Sequence, residues 1–99
     1  LKINFDTVLK DLQNKAMIDE KGNPFSLRDA VTNALLLSFT DEPNLQGADK
    51  IRRFQLATKI QGAKSIDLLA EEIALAKACV GKAYGPLVVG RAYELLDPA

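Results

Sequence analysis

Residues 26–39 read Ser-Leu-Arg-Asp-Ala-Val-Thr-Asn-Ala-Leu-Leu-Leu-Ser-Phe, the densest apolar block in the chain. Leu27, Ala30, Val31, Ala34, Leu35 and Ser38 fall at the i, i+3, i+4, i+7, i+8 spacing that puts side chains on one face of a helix, and Leu36 and Leu37 widen the stripe. A helix over 27–39 this apolar must be covered on more than one side, so at least two other elements should pack on it. Ser26 followed three residues later by Asp29 marks its start, close to the capping-box pattern, although Asp is shorter than the usual Glu or Gln. Phe25 can staple back onto the first turn, and Asp41, Pro43 and Gly47 supply the turn chemistry that ends the helix.

On the amino-terminal side, Leu1, Ile3 and Phe5 alternate with Lys2, Asn4 and Asp6, the period of a half-buried strand that Val8 to Lys10 can continue after a kink. Two similar stretches follow, Asp11-Leu-Gln-Asn-Lys-Ala-Met17 and Asp19-Glu-Lys-Gly-Asn-Pro-Phe25. Asn14 and Gly22 occupy the place where a tight turn needs positive φ. Two such turns around Ala16-Met17-Ile18 predict a small β-meander or hairpin, with Ile3, Phe5, Leu9, Met17 and Phe25 facing the helices.

On the carboxy-terminal side, Ile51, Phe54, Ala57 and either Leu56 or Ile60 predict a second helix over 48–60 with a basic outer side, ended by Gln61-Gly62. Ile66-Asp67-Leu68 reads as a short extended link, with Ser65 or Asp67 as a cap for the next helix. Leu69, Ile73, Ala76, Val80 and Ala83 form one face of that third helix, with Glu71 and Glu72 in its first turn and Lys82 in its last, where the helix dipole favours them. Tyr84-Gly85-Pro86 breaks it, and Pro86 suits the first turn of a fourth helix, 87–96, whose buried stripe is Val88, Val89, Ala92, Leu95 and Leu96. Gly81, Gly85 and Gly90 cluster at the break and would let helices approach closely or, alternatively, admit a ligand. The fold expected is α+β and mostly helical, a single domain over 1–99. An amino-terminal β-hairpin or meander (1–25) caps a bundle of about four short helices (26–99).

Composition narrows the function classes. The 99 residues hold thirteen Lys plus Arg and thirteen Asp plus Glu, so no global basic field draws the chain to nucleic acid or acidic lipid. The balance is uneven. Lys50, Arg52, Arg53, Lys59 and Lys64 outweigh Asp41, Glu42 and Asp49 over 41–64, whereas the last third is acidic. Cys79 is the one cysteine, which fits a reducing cytosol and rules out an intrachain disulfide or a thiolate cage. No run is long and apolar enough for a membrane span, and no basic-apolar leader is seen.

Catalysis finds little support. Without a histidine, a Ser or Cys nucleophile lacks its usual base, and Cys79 beside Val80 in a helix reads as a buried, inert thiol. The pairs Asp19/Glu20, Asp41/Glu42 and Glu71/Glu72 are adjacent residues on exposed turns or a helix and read as solvated surface. Gly85-Pro-Leu-Val-Val-Gly90 meets only the GxxxxG half of a phosphate loop, because Arg91-Ala92 replaces the Lys and hydroxyl and Pro86 removes an amide donor. The loops at Asp19 and Asp41 lack the alternating oxygens and closing Glu of an EF-hand. No metal, cofactor or catalytic residue is assigned.

Two surfaces remain as candidates for contact. Lys50, Arg52, Arg53 and Lys59 give the second helix a basic side that reads as a solvated face able to dock an acidic protein or a second copy. Its alternative is a phosphate-binding surface. Tyr84, Arg91 and Tyr93 flank the last break, where tyrosines sit at a core edge or at an interface.

Residues 9–31 (Leu9-Lys-Asp-Leu to Arg28-Asp-Ala-Val), Lys50-Ile-Arg-Arg-Phe-Gln-Leu-Ala57 and Val80-Gly-Lys-Ala-Tyr-Gly-Pro-Leu-Val-Val-Gly-Arg-Ala-Tyr-Glu-Leu-Leu96 carry an overall pattern that resembles small proteins encoded by tailed bacteriophages and prophages. The resemblance implies a product of an infected or lysogenic bacterium, in the host cytoplasm, acting by binding other proteins. Tail-assembly chaperones are one group of comparable size. A small nucleic-acid-associated regulator using helix 48–60 is the alternative.

Overall fold

The computed structural model describes residues 1–97. Its elements run β1 (Lys2–Asn4), α1 (Leu27–Leu36), α2 (Gly47–Gln61), β2 (Ser65–Asp67), α3 (Ala70–Ala83) and α4 (Pro86–Leu96). Four helices and a two-stranded antiparallel sheet make the mostly helical α+β architecture that the patterning predicts. α1 packs against α2, α3 and α4, and its Leu27, Ala30, Val31, Ala34 and Leu35 are all buried. Burying a side chain such as Leu27 or Val31 contributes on the order of 1.5–3 kcal/mol, so this face is the main apolar anchor of the bundle.

The start of α1 is built as its sequence prescribes. The Ser26 hydroxyl accepts from the Asp29 amide at 3.2 Å and the Asp29 carboxylate accepts from the Ser26 amide at 3.1 Å. Its end is earlier than predicted. The backbone turns extended at Leu37, which leaves Leu36 and Leu37 exposed at 61% and 49%, and Ser38 exposed with them. Phe39 is then carried sideways to lie against two cations, a tertiary interaction that helical periodicity does not encode.

β1 pairs with β2, Ile3 opposite Ile66, so the stretch expected as an extended link is the second strand of the sheet. Both isoleucines point into the core while Lys2, Asn4, Ser65 and Asp67 face out. Ser65 and Asp67 therefore do not cap α3. The exposed end there is served instead by Glu72, whose carboxylate accepts from the Leu69 amide at 2.8 Å. Leu69, expected in the buried stripe of α3, is 60% exposed at this cap.

Between β1 and α1 the chain makes one loop twice. Asp11 Oδ1 accepts from the amides of Gln13 and Lys15, and Asp19 Oδ1 accepts from those of Lys21 and Asn23. Asn14 and Gly22 have φ of 62° and 82°, as the turn chemistry requires. The Leu9 amide donates to the Phe25 carbonyl, Met17 to Leu9, and Phe25 to Met17, each at 2.9 Å. Three residues eight apart thus close a ring of backbone hydrogen bonds, flanked by the single bridges Val8–Ser26, Lys10–Ala16 and Ile18–Pro24. Leu9 is buried, and Met17 and Phe25 pack on the core. This ring lids the bundle.

In α2 the predicted stripe is displaced. Arg53, Leu56, Ala57 and Ile60 face inward, and Ile51 and Phe54 are 58% and 62% exposed. α3 buries Ala76, Cys79 and Val80, and α4 buries Ala92 and Leu96 with Val88, Val89 and Leu95 half-buried. Of the three glycines at the break, Gly81 alone meets a close neighbour: a Cβ there would lie 2.8 Å from the Tyr93 hydroxyl, whereas Gly85 and Gly90 face open space.

Candidate interaction surface

The four cations of α2 separate into three environments. Arg53 is buried, and its guanidinium donates to both oxygens of Glu42, at 3.0 and 2.9 Å. Lys82 of α3 also reaches Glu42, at 3.0 Å, and Asp41 at 3.2 Å. The Phe39 ring lies beside both cations, 5.9 Å from the Arg53 guanidinium carbon and 5.6 Å from the Lys82 ammonium. Hydrogen bonds from Arg53 and then Lys82 hold the Glu42 carboxyl down at about 2, from an ordinary value of 4.5. The Glu42 hydrogen bond likewise raises Arg53. The loop after α1 is thereby fastened to α2 and α3, and Arg53 is a structural cation.

Lys59 is also engaged, with its ammonium 2.9 and 3.1 Å from the Glu72 oxygens. Burial alone would raise Glu72, but the Leu69 amide and Lys59 outweigh it and hold the carboxyl below its ordinary range. Arg52 extends into solvent, its side chain 72% exposed and 3.7 Å from Asp49. Lys50 is exposed and makes no ion pair among the described residues. Of the basic face, then, only Lys50 and Arg52 remain available to a partner.

Tyr84, Arg91 and Tyr93 serve the fold. The Tyr84 hydroxyl donates to the Ala30 carbonyl at 3.2 Å, and its ring meets Phe25 edge-on at 6.0 Å. Tyr93 donates to the Lys77 carbonyl at 2.7 Å. Arg91 donates to the carbonyls of Lys10 and Asp11, both at 3.0 Å, and so ties the first tight loop to α4. Arg28 does the same elsewhere: it donates to the carbonyls of Ile60 and Ala63 at the end of α2 and pairs with Asp6. Sequence patterning left Arg28 unassigned, since partners more than twenty residues away leave no local signal.

Of the nine exposed large apolar residues among the described ones, Leu36, Leu37, Ile51 and Phe54, which periodicity assigns to buried stripes, lie at the α1–α2 seam. Two grooves lie along the seam of α1 and α2. One, of about 330 Å³, includes Leu36, Leu37, Phe39, Lys50 and Phe54, and the other, of about 280 Å³, includes Thr32, Asn33, Leu36, Phe54 and Gln61. Leu36 and Phe54 line both. Ile51, three residues before Phe54, extends the patch along α2. A signal for this was present in the sequence. Ile51/Phe54 and Leu56/Ala57/Ile60 cannot all fit a single narrow face, and three consecutive leucines at 35–37 exceed what one face can bury.

No family model, curated protein or solved structure matches the chain. Among the described residues no group of three or more His, Cys, Asp or Glu is placed so that it could hold a metal ion. No buried side-chain nitrogen or oxygen in them lacks a hydrogen-bond partner. Burial raises the Cys79 thiol above its ordinary range, which disfavours the thiolate. No described helix is long and apolar enough to cross a membrane.

Proposed function

We propose that this chain is a binding protein whose contact face is the α1–α2 seam. The observation that carries this is the grouping of Leu36, Leu37, Ile51 and Phe54 on the surface, 49–62% exposed, whereas Leu12, Ile18 and Leu69, equally exposed or more so, each line a different hollow. Contiguous apolar surface on a small domain marks a site of association. Its partner is a protein of the phage or of its bacterial host, in keeping with the resemblance to small phage and prophage proteins. The role is that of an accessory or assembly factor in the host cytoplasm, of the kind tail-assembly chaperones represent, acting by contact and not by catalysis.

A nucleic-acid regulator has less in its favour, because Arg53 and Lys59 are neutralised by Glu42 and Glu72 and only two cations of α2 are left for phosphates. The test is affinity capture of the tagged chain from nuclease-treated lysate of an infected or induced host, washed at low and then high salt. A protein retained at high salt by the native chain and lost with Leu36→Ser plus Phe54→Ser supports the seam. Nucleic acid recovered alone and released by salt would replace this function with the regulator.

A further inference from the structure

We propose that the α1–α2 seam receives an amphipathic helix whose apolar stripe is bordered by carboxylates, an inference that rests on the seam being the contact face. The shape and the charge of the trough both point to this occupant. Leu36 and Phe54 belong to both grooves, so the two follow one another along the seam between the helices and meet at these side chains. A trough between two packed helices accepts a third by ridge-into-groove packing, with anchors at i, i+4 and i+7.

The charge of the lining is one-sided. Its rim is neutral at Thr32, Asn33, Ser38, Thr58 and Gln61. Glu42 is the one carboxylate in it, and both its oxygens are already taken by Arg53, with Lys82 on one of them. Arg53 is spent in that same pair. Lys50 is left as a cation without an ion-pair partner among the described residues, one helical turn from Phe54 on the same side of α2. A carboxylate beside an apolar stripe meets Lys50 and is repelled by no free acid in the lining. A basic helix meets no free acid either, and so gains nothing there.

The experiment sorts a surface-displayed library of helical peptides, with Leu fixed at i, i+4 and i+7 and flanks randomised over Glu, Lys and Gln, against the full chain. The expected result is enrichment of Glu in the flanks, a swing toward Lys when the target carries Lys50→Glu, and a loss of binding of about tenfold or more with Phe54→Ser. Circular dichroism checks that each variant is folded. Flanks without charge bias, or a bias indifferent to Lys50→Glu, overturn the acidic helix, while the seam stands if Phe54→Ser still abolishes binding. Winners indifferent to both Phe54→Ser and Leu36→Ser remove the seam as well, and a library that yields no binder overturns the inference. Concentration-dependent dimerisation lost with Phe54→Ser would seat a second copy in the trough instead and overturn the acidic helix.

Discussion

Glu42 accepts from both terminal nitrogens of Arg53, at 3.0 and 2.9 Å, and this one pair fastens the loop after α1 to the buried side of α2. Its consequence is a defined response to acid. Glu42 has a folded value of about 2 against an ordinary 4.5, so its contribution to stability is fully present above pH 4.5 and is lost as pH falls toward 2. Denaturation midpoints followed from about pH 6 down to about pH 2 should therefore fall for the native chain. Glu42→Gln should lower the midpoint near neutrality and flatten the acid limb. Part of that limb survives, because Glu72 is also held below its ordinary range. Parallel acid limbs in the two proteins would show that Glu42 is not held this way.

Gly81 of α3 lies close against Tyr93 of α4, and their relationship predicts a change of sign. A Cβ at Gly81 would meet the Tyr93 hydroxyl at 2.8 Å but the ring carbon beneath it at an ordinary 3.9 Å. Gly81→Ala should therefore destabilise by about 1 kcal/mol, crowding of about 1–3 kcal/mol outweighing the roughly 1 kcal/mol by which Ala is the better helix former. In a Tyr93→Phe background the obstructing oxygen is gone, and the same substitution should stabilise. A double-mutant cycle by urea unfolding measures both signs.

The tight loops separate backbone cost from space. At Gly22 nothing lies within 4 Å of a would-be Cβ, but φ is +82°, so Gly22→Val should cost about 1–2 kcal/mol through the backbone alone. Asn14 occupies the same conformation in the first loop, and Asn14→Gly should change stability by less than about 1 kcal/mol. Equal effects at the two sites would contradict the equivalence of the loops.

These loops also show what was legible in the sequence. The Asp11/Asp19 echo, the positive φ at Asn14 and Gly22, the Ser26–Asp29 box and the apolar stripe of α1 are local signals, and the chain folds accordingly. The early end of α1, the inward turn of Arg53 and the outward turn of Phe54 depend on Glu42 and Phe39 meeting α2 and α3. Periodicity ranks a phenylalanine above an arginine for burial and cannot see a carboxylate waiting eleven residues away. The same blindness made Arg53 a candidate for contact and left Leu36 and Phe54 out of the site.

Cys79 offers a test of burial with no change to the chain. It is 1% exposed and its thiol is raised by desolvation, so a thiol-specific reagent should label it only slowly in the native protein and rapidly in denaturant. Fast native labelling would mean that α3 does not pack as described.

The α1–α2 seam predicts that two neighbouring residues of one helix differ in what they do. Leu56 is 3% exposed and Phe54 is 62% exposed. Leu56→Ala removes buried methyl groups and should cost about 2–5 kcal/mol. Phe54→Ser removes surface that no described residue covers fully, and its effect on stability should stay within about 0.5 kcal/mol. Binding should respond the other way. Leu56→Ala, assayed where it is still folded, should keep its partner, and Phe54→Ser should lose it. Urea midpoints and retention in the high-salt capture give both columns of this comparison. A Phe54→Ser protein as unstable as Leu56→Ala would place Phe54 in the core and return the seam to ordinary packing.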